Sequence, residues 1–332
     1  MSALNTTRSV EEIPPPRSIS WSARALSYGP EVELAADVGR GAVLSVTSGC
    51  VYLLGEAGHV FGVVGPGAED SPLGLRVENV APVLEVAPGS RFELSGGGLL
   101  LGGRTFVDLG EATAWKPRIP RLRGDSVSRR VAARELLGSL VEDGRGPTCR
   151  WLAGLPDSGS LDGRIGRAIR RRVEGLAEAL EGRKVEPAYE ALVGLLGLGP
   201  GLTPAGDDLA AGVLATAAWM TPYSSLATAL EEVARQRLEA SVAGRTGAIS
   251  ARLLHHAAAG SLYEPAMRLG EGVMSGDPSG VRASSGALLE IGGTSGAETA
   301  AGILLGLLAF DDGRRKESSW DLRELFDGRG ER

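Results

Sequence analysis

Cysteine is nearly absent from this chain. Cys50 and Cys149 stand far apart and form no CxxC pair. That excludes a disulfide framework and a thiolate zinc site, and it makes a reduced cytosol the expected compartment. Histidine is scarce as well, with three in all, and two of them, His255 and His256, are adjacent. Neighbouring side chains on a helix diverge by about 100°, so this pair is not a metal clamp. His59 falls in a strand-like stretch and reads as structural. No G-x-S-x-G is present, so serine-type hydrolysis has no support. No Walker A sequence and no G-x-G-x-x-G after a strand occur, so neither a P-loop nor a dinucleotide fold is indicated. The longest apolar run, Ala300 to Phe310, is shorter than the roughly 20 residues needed to span a bilayer. The N-terminus lacks a basic and then apolar signal pattern. A cytoplasmic protein, neither membrane-bound nor secreted, is the expectation.

Basic charge is not in excess either. The net charge is −6, which argues against broad nucleic-acid binding. An arginine run, Arg164, Arg167, Arg170, Arg171 and Arg172, is followed by Glu174 and Glu178 and holds no interleaved aromatics. It reads as a solvated or partner-facing helix. Aromatics make up only 5% of the chain, against 49 glycines, so the cores must be built from Leu, Val and Ala.

A length of 332 residues suits two domains better than one. Residues 1–30 are polar, carry Pro14-Pro15-Pro16, and read as a disordered segment. Residues 31–118 read as β-rich. Short runs at Val43–Val46, Cys50–Leu54, His59–Val64, Pro82–Val86, Arg91–Leu94, Leu99–Leu101 and Thr105–Leu109 alternate with Gly, Pro and Asp turns. A small barrel or sandwich follows from that rhythm. Residues 119–311 turn helical, with expected helices at 126–142, 162–181, 186–197, 204–219, 224–242, 246–259, 261–274, 280–291 and 297–310. Residues 312–332 form a charged tail, with one short helix expected near Trp320 to Phe326. The fold class is therefore α+β, with a β-rich domain ahead of an α-helical bundle.

The most informative feature is a pseudo-repeat. Residues 198–219 run from a glycine-rich loop, through Thr203 and the acids Asp207 and Asp208, into an apolar helix. Residues 292–310 do the same with Thr294, Ser295, Gly296 and Glu298. With Gly206 laid on Gly296, Asp208 falls on Glu298, Gly212 on Gly302, Val213 on Ile303 and Leu214 on Leu304. Thr203-Pro204 predicts an N-cap followed by Pro at the first helical position. Gly199, Gly201 and Gly206 allow sharp turns and close approach. The unpaired amides and positive dipole end of such a helix suit a small anion. Two acids in the first turn oppose a pure phosphate cradle. Either a divalent cation such as Mg²⁺ stands between acids and anion, or the ligand carries both an anionic end and N–H donors. A carbamoyl or ureido compound does the latter. The plainer reading is also open: first-turn acids complement the dipole unaided, and Gly212, Ala215, Gly302 and Gly306 permit close helix packing.

A third stretch is Gly244 to Ser250. Thr246 and Ser250 are four apart, so one helix face would carry both hydroxyls. Arg245 has the fork geometry to clamp a phosphate or carboxylate. The plainer alternative is a helix start with Thr246 as its cap.

The decapeptide Gly199 to Asp208, G-P-G-L-T-P-A-G-D-D, resembles a family formerly catalogued as a domain of unknown function, which includes the AllH-type subunit of oxamate carbamoyltransferase. The G-R-T-x-x-x-S stretch at Gly244–Ser250 and G-x-T-S-G-x-E at Gly292–Glu298 follow in the family's order. The resemblance covers the helical half and matches no motif in the β-rich half. It implies a transferase subunit in allantoin degradation and purine catabolism that moves a carbamoyl group between oxalurate, oxamate and carbamoyl phosphate. Other subunits of that complex and a small anionic substrate are the partners implied. No resident cofactor is implied. The chain departs from the family pattern at Gly293, where His is common, at Glu298, where Asp is common, and at Ala205, where Ser is usual.

Three readings follow. In the first, Asp208 and Glu298 are the reactive acids and accept from ligand N–H groups. Amides of Gly201–Gly206 and Gly293–Gly296 then hold the anionic end, with Thr203, Thr294, Ser295 and Arg245 assisting. In the second, the chain is a non-catalytic scaffold whose glycines serve packing alone. In the third, Asp207, Asp208 and Glu298 are oxygen ligands of a metal-dependent hydrolase or lyase.

Overall fold

The computed structural model describes residues 19–37, 39–155 and 161–311. The short helix expected near Trp320 to Phe326, the rest of the 312–332 tail and residues 1–18 lie outside them. The chain divides into two compact units, Met1–Lys116 and Pro117–Arg332. Strands come first and helices after, so the α+β class with a β-rich part ahead of a helical part holds.

The first unit is a closed barrel. Its strands are β1 (Trp21–Tyr28), β2 (Arg40–Val46), β3 (Cys50–Gly55), β4 (Val60–Val64), β5 (Gly74–Val77), β6 (Arg91–Ser95), β7 (Gly98–Leu101), β8 (Thr105–Asp108) and β9 (Thr113–Ala114). The hydrogen-bonded order is β5-β4-β3-β2-β6-β7-β8-β1-β9, and β1 also pairs with β5. β1 therefore runs parallel to β8 (Trp21↔Thr105) and antiparallel to β5 (Ala25↔Val77), which closes β1 to β8 on themselves. Closure removes the exposed edges of an open sheet. Alternate residues point inward, and Val51, Leu53, Phe61, Val63, Leu75, Val77, Leu99, Leu101 and Val107 are fully buried. Phe61 and Phe92 meet edge to face at 5.6 Å.

Three expectations are corrected here. The segment ending at residue 30 was expected to be disordered, but Trp21–Tyr28 is the strand that closes the barrel. Pro30–Ala36, expected to be strand-like, is a helix, α1, with Pro in its first turn and Glu31, Val32 and Ala35 buried. Pro82–Val86 is a run of turns, with Val83 N–H bonded to Val80 O at 2.9 Å and Val86 N–H to Val83 O at 3.2 Å. The apolar side chains that suggested a strand there cover the core from a loop.

The second unit holds α2 (Ser126–Asp143), α3 (Pro147–Leu152), α4 (Leu161–Glu181), α5 (Val185–Val193), α6 (Ala205–Met220), α7 (Ser225–Val242), α8 (Ala248–Ala258), α9 (Glu264–Ser275), α10 (Pro278–Leu289) and α11 (Ser295–Phe310). Each expected helix is present within a few residues, and α3 was not anticipated. Local chemistry sets the ends. Asp125 caps α2 by accepting from Val127 N–H at 2.9 Å and Ser128 N–H at 2.8 Å, and Gly144 ends it in the left-handed region.

α6 and α11 form the centre. Every residue of α11 is buried, and so is every residue of α6 except Ala218. They can be this deep because small and apolar residues fill most positions on all sides. The two cross with backbones in contact. A Cβ on Gly212 would stand 2.9 Å from the Gly302 Cα and would overlap the Thr299 carbonyl; a Cβ on Gly302 would overlap the Leu209 carbonyl. Gly306 faces Thr216 in the same way, 2.7 Å from a hypothetical Cβ to the Thr216 Cβ. The packing role foreseen for this glycine stripe is real.

The sequence repeat is thus also structural: α5, loop and α6 answer to α10, loop and α11. Substituting Gly302→Ala should destabilise the second unit by about 1–3 kcal/mol, because the methyl must push two helices apart. Gly138→Ala, on α2 with nothing within 4 Å of a new Cβ, should instead stabilise by up to about 1 kcal/mol. Urea unfolding of the two variants checks both signs.

Candidate functional site

The two glycine loops meet. Thr203 Oγ1 and Ser295 Oγ lie 2.8 Å apart, one hydroxyl from each copy of the repeat. Gly199 and Gly201 hold φ values of +132° and +96°, a region that L side chains rarely enter, so the turn into α6 depends on them. Pro200, Gly201 and Leu202 on one side, and Gly292 and Gly293 on the other, are exposed. Thr203 does not cap α6, as the sequence had suggested. Pro204 occupies the N-cap, and the Thr203 hydroxyl is directed to Ser295 instead. Thr294 is the N-cap of α11 but makes no side-chain cap bond.

Below the loops lie three buried carboxyl groups: Asp207, Asp208 and Glu298, with exposures of 2%, 4% and 0%. None pairs with a basic side chain among the described residues. Their surroundings differ. Asp207 is saturated by protein donors. Its Oδ1 accepts from Gly197 N–H at 2.7 Å, and its Oδ2 accepts a short bond from the Thr246 hydroxyl, with the Ser250 hydroxyl also close. Thr246 and Ser250 share a partner, Asp207. Thr246 stands ahead of α8, whose N-cap is Gly247, so the helix-cap alternative for Thr246 fails. Ser250 also reaches the Leu202 carbonyl at 3.4 Å. Arg245 is exposed in the same loop, its carbonyl pressed against Gly197, and its side chain makes no ion pair among the described residues.

Asp208 and Glu298 are not saturated. The Thr203 and Ser295 hydroxyls lie beside Asp208, yet its Oδ2 is buried without a hydrogen-bond partner. Glu298 Oε1 accepts from Thr148 N–H at 2.8 Å, while Oε2 is buried and unpartnered. An unpaired buried carboxylate oxygen is costly, so each acid favours its protonated form. Burial holds the Asp208 carboxyl well above the usual carboxylate range, and Asp207 and Glu298 nearby push it further. Burial lifts Glu298 to about 7, opposed by the Thr148 donors. Asp207 is raised too, by burial, against the pull of its hydrogen bonds.

Two expectations about donors change. The Gly206 amide is already bonded to Leu198 O at 2.8 Å, and that of Gly296 to Ile291 O at 3.0 Å, so neither can hold a ligand. The amides of Gly201, Leu202 and Thr203, and of Gly293 and Thr294, donate to no protein acceptor among the described residues. The sequence reading also missed Gly197, Gly146 and Thr148. A Cβ on Gly146 would stand 2.6 Å from Glu298 Oε1, so glycine there lets the backbone close over the acid. Gly146-Pro147-Thr148 carried a readable signal, a Pro at the start of a helix. Among the described residues, no group of three or more His, Cys, Asp or Glu side chains is placed to hold a metal ion.

Residues 195–307 match the family model of oxamate carbamoyltransferase subunit AllH. The AllH match takes in both glycine loops, the α7–α8 loop and the acids Asp207, Asp208 and Glu298, and it supports the resemblance to the AllH-type subunit. No curated protein and no solved structure matches the chain. No helix among the described residues is long and apolar enough to cross a membrane.

The raised Glu298 carboxyl has a consequence for stability. Between the ordinary value of 4.5 and about 7, the folded protein keeps a proton that the unfolded chain releases. The stabilising contribution is complete below that window and is lost as pH rises through it, by about 3 kcal/mol for this group. Glu298→Gln should remove that part of the decline. Urea unfolding at about pH 5 and pH 8 compares the two slopes; equal slopes would show an ordinary carboxyl.

Proposed function

We propose that this chain is a subunit of an oxamate-carbamoyltransferase-type enzyme and that the paired loops bind its carbamoyl-bearing substrate. The observation that carries the reading is the pair of buried, unpartnered oxygens, Asp208 Oδ2 and Glu298 Oε2, beneath hydroxyls contributed by both repeats. A ligand with N–H donors satisfies such oxygens; phosphate is mainly an acceptor and offers them at most one or two O–H groups. A carbamoyl or ureido group supplies those donors. The uncommitted amides at Gly201 to Thr203 and at Gly293 and Thr294 suit its anionic end, helped by Thr203, Thr294, Ser295 and the exposed Arg245. Asp207, Thr246 and Ser250 act at one remove, as positioning residues that fix the α6 start.

The resemblance to the AllH-type subunit implies the reaction, and these groups suit it. A phosphate oxygen attacks the carbamoyl carbon of oxalurate. The bond from that carbon to the oxamate nitrogen breaks, the nitrogen takes a proton, and oxamate and carbamoyl phosphate leave. In reverse, the oxamate nitrogen displaces phosphate. A carboxyl held protonated near neutrality is a suitable source and sink for the nitrogen's proton. Rate enhancement comes from alignment of the two anions and from stabilisation of the charge that develops on the carbamoyl oxygen. Other subunits of such an enzyme are the expected partners of this chain.

Thermal unfolding with oxamate, oxalurate, carbamoyl phosphate, phosphate and Mg²⁺ tests the reading. A ligand at about 100 times its dissociation constant should stabilise by about 2.7 kcal/mol, and Asp208→Asn should abolish the effect while the variant stays folded. A ligand response that survives in Asp208→Asn would remove the acid from the site. If no ligand shifts the protein alone or with co-purified subunits, the scaffold reading takes its place.

A further inference from the structure

A second concave site lies in the helical unit, formed by the segment before α2 and one side of α9. The cleft measures about 620 Å³, and four arginines, Arg118, Arg121, Arg123 and Arg268, line it against two glutamates, Glu264 and Glu271. This excess of positive charge stands in a chain whose net charge is −6. Two glutamates balance at most two of the four arginines. Glu271 is occupied by Arg123 at 3.1 Å and by the Arg121 backbone N–H at 3.0 Å. The side chains of Arg118 and Arg121 make no hydrogen bond or ion pair among the described residues, and both are exposed. The rest of the lining is apolar: Met267 is buried and Ile119 is 45% exposed.

We propose that this cleft binds a phosphorylated small molecule of nucleotide size that carries at least two negative charges. Guanidinium forks match phosphate oxygens in bidentate geometry, and two of them here lack a protein partner. The volume falls within the range of small-molecule pockets, about 300–1,000 Å³, and is far larger than a single phosphate fills. Ile119 and Met267 provide an apolar wall for the non-phosphate part. An anchoring segment holds the arginines in place: Arg123 N–H and Gly124 N–H bond to Met274 O at 3.0 and 3.1 Å, which ties the strand of arginines to α9. This site does not depend on the carbamoyl reading.

Isothermal titration of the full chain with ADP, pyrophosphate and adenosine tests it. ADP and pyrophosphate should bind, adenosine should bind at least about tenfold more weakly than ADP, and added salt should weaken the two anions. The double variant Arg118→Ser, Arg121→Ser should lose at least about tenfold in affinity for both. Arg164→Ser, which removes an exposed arginine on α4, should bind as the parent does. So should Asp208→Asn, which separates this cleft from the paired loops. Absence of binding by ADP and pyrophosphate, equal binding of adenosine, or unchanged affinity in the double variant would overturn the proposal.

Discussion

The contact between α6 and α11 decides the rest of the helical unit. Two helices can bring their backbones together only where side chains are absent, and Gly212 and Gly302 provide that place. Close approach there fixes the angle and register of both helices. Their N-termini then have little freedom, and the loops ahead of them are drawn together until Thr203 and Ser295 touch. A larger residue at either glycine would open the crossing and separate the hydroxyls at the far end. Helix packing and the meeting of the two loops are thus one constraint.

That geometry has an electrostatic consequence. Bringing two helix starts together also brings together the acids in their first turns. The positive ends of the helices offset some of the repulsion, yet no basic side chain among the described residues joins the three carboxyls. The fold answers with donors for Asp207 and protons for the others. An unpaired acid at the centre of a domain lowers its stability, and such local costs cluster where a protein binds or reacts. A ligand that satisfies the Asp208 and Glu298 oxygens recovers that stability on binding.

Much of this was legible in the residues. The pseudo-repeat announced two like helix starts, and the nine expected helices matched because each carried a long apolar period with Gly or Pro at its ends. The barrel was legible as a class, since short apolar runs between turns have few other outcomes. What failed did so for local reasons. Trp21–Tyr28 looked polar because half of its residues face outward, and only its pairing to β5 and β8 shows it to be the closing strand. Pro82–Val86 had the composition of a strand but no partner. Thr203 looked like a cap because the rule is local, whereas its actual partner lies 92 residues away. The Glu298 contact to Thr148 spans 150 residues and could not be inferred from any nearby pattern.

The repeat is not symmetric where it matters most. On the alignment that pairs Asp208 with Glu298, the counterpart of Asp207 is Ala297. The first copy therefore carries a latch, Asp207 to Gly197 and Thr246, that ties α6 to the loop before α8. The second copy has no such acid, and its anchor comes from the other side: Glu298 itself holds the start of α3 through Thr148 N–H. The extra methylene of Glu298 over Asp suits that longer reach, and Gly146 leaves the space for it. Asp208 lies beside paired hydroxyls with its Oδ2 unpartnered, and Glu298 has one oxygen fixed to the backbone and one unpartnered. Two helix starts built alike thus present unlike chemistry, because the reach of one extra methylene sends Glu298 to α3 while Asp208 stays beside the hydroxyls of its own pair of loops.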